Sequence, residues 1–309
     1  MSVSSGKDRT EEERRVRRRI ERHPVQGSVE RMRAAFAQLA DLPIDTAGVR
    51  LATRELHGLE TLGVTPDTGR TAPEGRCDTA PIVHLHGGGY VFGSAITHAR
   101  MAVQLARSSG RTVLLPEYPL APEHSWPAQR TAVLDWLRNL DAGPGLILSG
   151  DSAGGHLALC LALTLGTKRQ PRLAGLTLFS PNTLRDYARS ESRTGNAERD
   201  AMNDPEQDDA LARLAFGSAD VGEQERNPLD ADLASLPPLL IEVGGDEVLL
   251  DDSLLLARRA ALAGVDVRLQ VSAGVFHMSQ LFAQHWSIAD RSLQRAGDWV
   301  RAAIDDQPG

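Results

Sequence analysis

The stretch LILSGDSAGGHLALC, residues 146–160, decides how the rest of the chain is interpreted. A short apolar run leads into Gly150-Asp151-Ser152-Ala153-Gly154, and a helical pattern begins at once. This is the Gly-x-Ser-x-Gly pattern in the strand–turn–helix setting in which a serine acts as a nucleophile. Such a turn is so tight that the residues two before and two after Ser152 cannot carry bulky side chains. The sequence therefore predicts that Ser152 is a catalytic nucleophile.

A serine hydroxyl is a weak nucleophile until a base takes its proton, so a histidine must accompany Ser152. In this arrangement the chain order is serine, acid, histidine, and only His277 and His285 lie well beyond Ser152. His277 follows a predicted strand that ends near residue 272, whereas His285 lies at or within the last predicted helix. We therefore predict His277 as the base, with His285 as the weaker alternative.

The acid is expected directly after another buried strand. The stretch LLIEVGGDEVLLDD, residues 239–252, places Asp246 behind such a strand and two glycines. This position makes Asp246 the predicted acid, ahead of Asp251. Glu242 is expected inside the strand and Glu247 on the side of the following helix, so both are weaker candidates.

Apolar runs and helical patterns alternate along most of the chain. The predicted strands cover about residues 49–56, 80–87, 112–119, 145–150, 173–181, 238–245 and 265–272, and the predicted helices 10–21, 28–40, 98–110, 128–140, 153–166, 253–264 and 285–304. Residues 64–79 are predicted to be a polar turn region. Strands that alternate with helices predict a mostly parallel sheet with helices on both faces.

The polar stretch 182–236 interrupts this alternation. Within it, DDALARLAFG (208–217) has helical spacing, which favours a helical flap over the strand ends above a disordered insert. We predict an N-terminal helical cap segment over residues 1–45, and a catalytic domain over 46–309 that carries a cap insertion at about 182–236.

Composition excludes several classes of protein. The 34 basic and 41 acidic residues give a net charge of −7, which disfavours binding to nucleic acid or to anionic membranes. No apolar run approaches 18 residues, and the start lacks an apolar signal region, so we expect a cytoplasmic protein. Two cysteines, Cys77 and Cys160, fit neither a disulfide framework nor a zinc site, and no cofactor is expected.

Three consecutive glycines follow a predicted buried strand in HLHGGGYVFG, residues 84–93. Acyl transfer needs N–H donors for the oxyanion, one from Ala153 and another from a loop after an earlier strand, where a His-Gly-Gly-Gly run is typical. A dinucleotide loop is disfavoured because the spacing is not G-x-G-x-x-G. A metal site is disfavoured because no carboxylate or thiol set lies near His84, His86 and His98.

These motifs resemble the hormone-sensitive lipase family of α/β-hydrolases, and the resemblance covers roughly residues 45–305. It is carried by His86-Gly87-Gly88-Gly89, by the stretch 150–155, and by YPLAPEHSWPA (118–128), GGDEVLLDD (244–252) and VFHMSQ (275–280). It implies an α/β-hydrolase fold with a small helical cap to which the N-terminal helices belong. It also implies oxyanion donors at Gly88 and Gly89, with His86 and Gly87 supporting the loop.

Two positions depart from the family pattern. Pro119 replaces a usual arginine, so the ion pair that the family has there is not expected, and His156 replaces a common asparagine near the helix start. Neither position belongs to the predicted triad.

Together, the motifs and the resemblance predict a serine carboxylesterase that acts on small acyl esters with short chains. A deacetylase for N- or O-acetyl groups and a lactone hydrolase of a small metabolite are alternatives. A non-catalytic binding protein on the same fold is a more distant one, because the family includes plant hormone receptors. A homodimer is left open.

Overall fold

The computed structural model describes residues 10–67, 80–143, 145–166, 171–217 and 221–305. Eight strands form one sheet in the order β1-β2-β4-β3-β5-β6-β7-β8. The strands are β1 Val49–Leu56, β2 Leu59–Pro66, β3 Ile82–Leu85, β4 Val113–Pro116, β5 Leu146–Asp151, β6 Leu173–Phe179, β7 Leu239–Gly244 and β8 Val267–Ser272. The pairs β1–β2 and β2–β4 are antiparallel and all the others are parallel, which confirms the predicted mostly parallel sheet.

Ten α-helices surround this sheet in the described part of the chain. They are α1 Glu11–Arg22, α2 Val29–Ala40, α3 Ala99–Ser109, α4 Ala128–Asn139, α5 Ala153–Gly166, α6 Ser192–Gly195, α7 Pro205–Phe216, α8 Glu223–Arg226, α9 Leu250–Leu262 and α10 Ser287–Asp305. None of the helices in these ranges has both the length and the apolar character that a bilayer crossing requires. Cys77 and most of the predicted turn region 64–79 lie outside the described residues.

The structure corrects the prediction of a turn at residues 64–66, which belong to β2 and pair with β1 in a hairpin. The two strands are joined by His57 and Gly58, whose φ angles of +48° and +84° are both positive. Two positive φ angles are what the favoured two-residue hairpin turn requires. The dipeptide His-Gly is a weaker signal for this turn than Asn-Gly, and Gly63 weakens the strand pattern that follows.

The hydrophobic core lies on both faces of the sheet. Neighbouring residues of β5 point to opposite faces, as the two-residue period of a strand demands. Leu148 packs in the cluster that includes Phe36 of α2, whereas Ile147 packs in the cluster that includes Val103 of α3 and Trp299 of α10. The N-terminal helices therefore share one core with the sheet.

The described part of the insertion at 182–236 is partly helical, with turns and loops between its helices. It contains α6, α7 and α8, and the predicted helical spacing at 208–217 corresponds to most of α7. Asp204 accepts a hydrogen bond from the Gln207 N–H at 2.8 Å and caps this helix, and Pro205 occupies its first turn. The parallel strands all direct their C-terminal ends toward one edge, and α7 lies over that edge.

Candidate active site

Ser152 lies in the sharp turn between β5 and α5 that the sequence predicts. Its φ angle is +53°, a conformation that costs a non-glycine residue free energy. A Cβ atom at Gly150 would overlap the carbonyl oxygen of Gly154, and one at Gly154 would overlap the carbonyl oxygen of Leu85. The two glycines are therefore required by close contacts of the backbone, as the turn geometry predicts.

The structure brings Ser152 and His277 together. The His277 Nε2 atom lies 2.9 Å from the Ser152 Oγ atom, and the two residues are only 2% and 7% exposed. His277 follows β8 in a loop at the C-terminal edge of the sheet. The alternative histidine, His285, instead hydrogen-bonds through Nε2 to the carbonyl oxygen of Pro43 at 2.9 Å.

The acid beside His277 is Glu247, which corrects the prediction of Asp246. The Glu247 Oε2 atom lies 2.9 Å from the His277 Nδ1 atom. Asp246 instead faces Arg199, with 3.7 Å between its Oδ1 atom and the Arg199 Nη1 atom. Asp251 is also engaged elsewhere, because its carboxylate accepts a hydrogen bond from the backbone of the insertion.

The turn after β7 explains why Glu247 reaches the histidine. Its Oε1 atom accepts hydrogen bonds from the Gly244 N–H at 2.5 Å and from the Ser180 hydroxyl at 2.7 Å. These bonds fold the side chain back over the turn, toward the strand ends. Neighbouring side chains in a turn point in different directions, and no sequence pattern indicates which of two adjacent acids points inward.

Electrostatics favour a His277 that can hold a proton. Burial disfavours the imidazolium, but the hydrogen bond and charge of Glu247, together with the charges of Asp200 and Asp151, outweigh it and raise the pKa of His277 above its ordinary value. A base with this environment can accept the proton of a neighbouring hydroxyl.

The glycine loop follows β3 and lies beside the nucleophile. Gly88 and Gly89 have φ angles of +117° and +61°, and a Cβ atom at Gly88 would overlap the Phe92 carbonyl oxygen. Among the described residues, no acceptor takes a hydrogen bond from the N–H of Gly88, Gly89 or Ala153. These three donors are the ones that the motif and the resemblance predict.

A buried carboxylate next to the nucleophile holds this loop in place. The Asp151 Oδ1 atom accepts hydrogen bonds from the Gly87 N–H at 2.9 Å and from His84 Nε2 at 3.1 Å, while Oδ2 lies 3.4 Å from His98 Nε2. Burial opposes ionisation of Asp151, but the two imidazoles hold its pKa well below the usual range. Sequence analysis missed this network, in which two of the histidines weighed as metal ligands bond to one carboxylate.

His86, predicted to support the glycine loop, contacts the backbone of that loop. Its Nδ1 atom lies 2.8 Å from the Gly87 carbonyl oxygen, and its ring stacks on Tyr118 with 4.2 Å between the centroids. Burial lowers the pKa of His86 to about 3, so the ring is neutral. No group of three or more potential metal ligands is present in the described ranges.

His156, the departure from the family pattern, leaves the start of α5 intact. Its N–H donates to the Ser152 carbonyl oxygen at 3.1 Å, a regular helical hydrogen bond. Its Nδ1 atom lies 2.6 Å from the Tyr90 hydroxyl, and its ring packs against Trp126 and Phe216. His156 thus connects α5 to Phe216, the last residue of α7.

Two segments cover the glycine loop. On one side, a Cβ atom at Gly89 would lie only 2.6 Å from the Leu211 Cδ1 atom, so α7 rests directly on the loop. On the other side, Phe36 of α2 packs on Phe92 with 4.9 Å between the rings, and the Arg33 Nε donates to the Val91 carbonyl oxygen at 2.8 Å. The N-terminal helices and the insertion therefore both contact the glycine loop.

Comparison with known proteins shows that this chain is similar to α/β-hydrolases, among them two esterases and an acetyl-hydrolase. Residues 82–281 match a family described as having the α/β-hydrolase fold. An esterase of Acinetobacter venetianus is 36% identical over 222 residues, 70% of this chain and 72% of that protein. An acetyl-hydrolase of Streptomyces hygroscopicus is 31% identical and covers 75% of this chain and 78% of that protein. The crystal structure of an esterase from the bacterial hormone-sensitive lipase family superimposes with a TM-score of 0.86, at 32% identity, over 96% of this chain and 99% of that one.

Proposed function

Since the chain belongs to the hormone-sensitive lipase group of α/β-hydrolases and is a carboxylic ester hydrolase, we propose that it cleaves short-chain acyl esters with a Ser152–His277–Glu247 triad. The observation that carries the proposal is the unbroken chain of two 2.9 Å contacts, from the Ser152 hydroxyl through His277 to Glu247. The order of these residues along the chain is serine, acid, histidine, as in α/β-hydrolases generally.

The proposed reaction uses each group in turn. The Ser152 Oγ attacks the ester carbonyl carbon while His277 Nε2 takes the hydroxyl proton and then gives it to the leaving alcohol. Glu247 holds the Nδ1–H tautomer and stabilises the imidazolium. The N–H groups of Gly88, Gly89 and Ala153 stabilise the oxyanion. His277 then takes a proton from water as the water oxygen attacks the acyl carbon. The bond to Ser152 Oγ breaks, the carboxylic acid leaves, and the imidazolium gives its proton to Ser152 Oγ.

The cover over the glycine loop supports a preference for short acyl chains. Leu211 lies against Gly89, one of the proposed oxyanion donors, and is itself only 7% exposed. We propose that residues 10–40 and 182–236 together form the cap that limits the acyl group. A cytoplasmic location and a homodimer stay predictions from the sequence.

An acetyl group on a small metabolite is the second candidate substrate, favoured by the similarity to the Streptomyces acetyl-hydrolase. Removal of an O-acetyl or N-acetyl group would use the same residues, with a different leaving group. A panel of p-nitrophenyl esters from acetyl to palmitoyl, with lactones and N-acetylated compounds beside it, separates these candidates. We expect acetyl and butyryl esters to react fastest, and a palmitoyl optimum would contradict the proposal.

The test of the nucleophile is the Ser152→Ala variant. We expect it to lose turnover of p-nitrophenyl acetate and covalent labelling by a fluorophosphonate, while its circular dichroism spectrum is unchanged. Ser253→Ala is the matched control, because that buried hydroxyl has no hydrogen-bond partner among the described residues. Turnover retained in Ser152→Ala overturns the proposal. A wild-type protein that is neither labelled nor active supports the binding-protein alternative.

A further inference from the structure

Asp200 places a further carboxylate next to the base, in addition to Glu247 and Asp151. It lies in the insertion between α6 and α7 and is only 9% exposed. Its Oδ1 atom accepts hydrogen bonds from the N–H groups of His277 at 3.2 Å and Met202 at 3.1 Å. Its Oδ2 atom accepts one from the Val248 N–H at 3.0 Å. One side chain therefore bonds to the backbone of the histidine loop and to the residue directly after Glu247.

Further contacts of the same segment hold the acid loop. The Asn196 Nδ2 atom donates to the carbonyl oxygens of Glu247 at 2.8 Å and Gly245 at 3.2 Å. The Ser192 hydroxyl donates to the Val248 carbonyl oxygen at 2.9 Å. Residues 192–200 of the insertion therefore act as a strap across the turn that carries the acid. Asp200 is the member of this strap that also reaches the histidine loop.

We propose that Asp200 is a positioning residue, which fixes the Glu247 and His277 loops relative to each other and adds a further negative charge beside the imidazole. This inference rests on the proposed function, because it assumes that His277 is the base. It gives the insertion a part in the chemistry in addition to its part in covering the site.

The charges around the imidazole are consistent with this role. The groups that face His277 are Glu247 from the turn after β7, Asp200 from the insertion and Asp151 from the end of β5, and all three are carboxylates. Burial raises the pKa of Asp200 to about 6, while the charge of His277 acts against the rise and that of Glu247 adds to it. Above that pH an ionised Asp200 stabilises the imidazolium that forms as Ser152 attacks.

The test is the Asp200→Asn variant, which keeps the shape of the side chain and removes its charge. Its amide nitrogen cannot accept one of the backbone hydrogen bonds, so we expect kcat/KM for p-nitrophenyl acetate to fall about tenfold or more. We also expect the acidic limb of the kcat/KM profile to move to lower pH by about one unit, because a nearby opposite charge no longer supports the imidazolium. Asp246→Asn is the matched control. It also removes a carboxylate charge close to Glu247 in the chain, but that carboxylate faces Arg199, so the pH profile of this variant should not move.

Three outcomes decide the proposal. A lower rate with an unmoved acidic limb overturns it, because Asp200 then has only a structural role, and an unchanged rate and profile overturn it as well. A lower rate with the shifted limb supports it, and Asp200→Glu, which retains the charge, should keep the limb near its wild-type position. If Asp200→Asn does not fold, Asp200→Ser is measured in the same way, because its hydroxyl still accepts one backbone hydrogen bond. Fluorophosphonate labelling of the wild-type protein tests the proposed function separately.

Discussion

Asp246 and Glu247 are neighbours in the chain with different surroundings. The Asp246 side chain is 22% exposed and faces Arg199, whereas the Glu247 side chain is 1% exposed and bonds to His277. A difference of one position in a turn therefore separates a surface acid from the proposed acid of the triad. This contrast allows a test in which each residue is the control for the other.

We expect Glu247→Gln to lower kcat for p-nitrophenyl acetate by about 10⁴-fold, because an amide at this position favours the wrong histidine tautomer. Asp246→Asn should stay within about twofold of the wild type, since its carboxylate does not contact the histidine. Steady-state kinetics on the two variants, with circular dichroism to confirm folding, make the comparison. A large loss in Asp246→Asn together with an active Glu247→Gln would contradict the assignment.

The pH dependence of the reaction follows from the raised pKa of His277. Only the neutral imidazole can take the serine proton, so kcat/KM should fall as the pH drops through that pKa. Since the pKa is raised, the midpoint of this limb should lie above the ordinary value of 6.5. The free energy of unfolding changes with pH in the opposite direction to kcat/KM. The raised pKa of His277 stabilises the fold fully below pH 6.5, and this contribution is lost as the pH rises through the pKa of His277 in the folded protein. A midpoint of the kcat/KM limb at or below pH 6.5 would contradict the raised pKa of His277.

At the scale of elements, α7 connects the insertion to the chemistry. Its Leu211 rests on Gly89, and its last residue, Phe216, packs on the ring of His156. The helix is thus held at both ends of its buried face. Because it lies over the glycine loop, we expect it to limit the acyl group.

We expect Leu211→Ala to shift the preference toward longer acyl chains, because truncation removes the side chain that covers Gly89. The ratio of octanoyl to acetyl turnover should rise about tenfold, in line with the free energy of one or two methylene groups in an apolar site. Leu214→Ala is the control, as a half-buried leucine of the same helix with no contact to the glycine loop among those described. An equal change of the ratio in both variants would show that loosening of the helix, and not the space over Gly89, is the cause.

The elements of the sheet could be predicted because each carries its own pattern. The apolar runs at 145–150 and 238–245 and the helical spacing at 153–166 depend only on local burial, and the structure has β5, β7 and α5 at those places. The second strand of the first hairpin was partly missed because its turn, His57-Gly58, lacks the usual residue types.

The contacts of the site depend on which strands are neighbours, and local patterns do not contain that information. His84 lies opposite Ser149 because β3 pairs with β5, and this register brings Asp151 to the same imidazole. The motifs predict Ser152 and His277 because their chemistry fixes their order along the chain. Asp151 and Asp200 act through the backbone of other loops, and no spacing along the chain indicates such contacts.

At the scale of the whole molecule, a buried ion cluster joins the insertion to the sheet domain. Arg193, 2% exposed, reaches Asp208 of α7 at 2.7 Å and Asp252 of α9 at 3.4 Å. Burial acts against ionisation of Asp208, but Arg185 and Arg193 lower its pKa to about 2. A folded pKa below the ordinary 3.8 stabilises the protein above that pH, and this contribution is lost as the pH falls toward 2.

We expect Arg193→Met to lower the free energy of unfolding by about 3–5 kcal/mol, because it leaves two buried carboxylates without their shared cation. Arg213→Met should change the free energy of unfolding by less than about 0.5 kcal/mol, since the Arg213–Asp209 pair is exposed on α7, the helix that carries Asp208. Urea titrations followed by tryptophan fluorescence measure both values. A loss below about 1 kcal/mol in Arg193→Met would mean that the cluster does not hold the insertion.

The packing of α10 on α3 joins two parts of the chain that are synthesised far apart in time. The Ser108 hydroxyl donates to the Leu293 carbonyl oxygen at 2.9 Å across 185 positions of the chain, and a Cβ atom at Gly297 would overlap that hydroxyl. A ribosome that has made Ser152 must still add 141 residues before Leu293 can form this contact. The part of α3 that α10 covers therefore stays exposed until residues 287–305 have been made, so chaperones that bind nascent chains should have access to it during that interval.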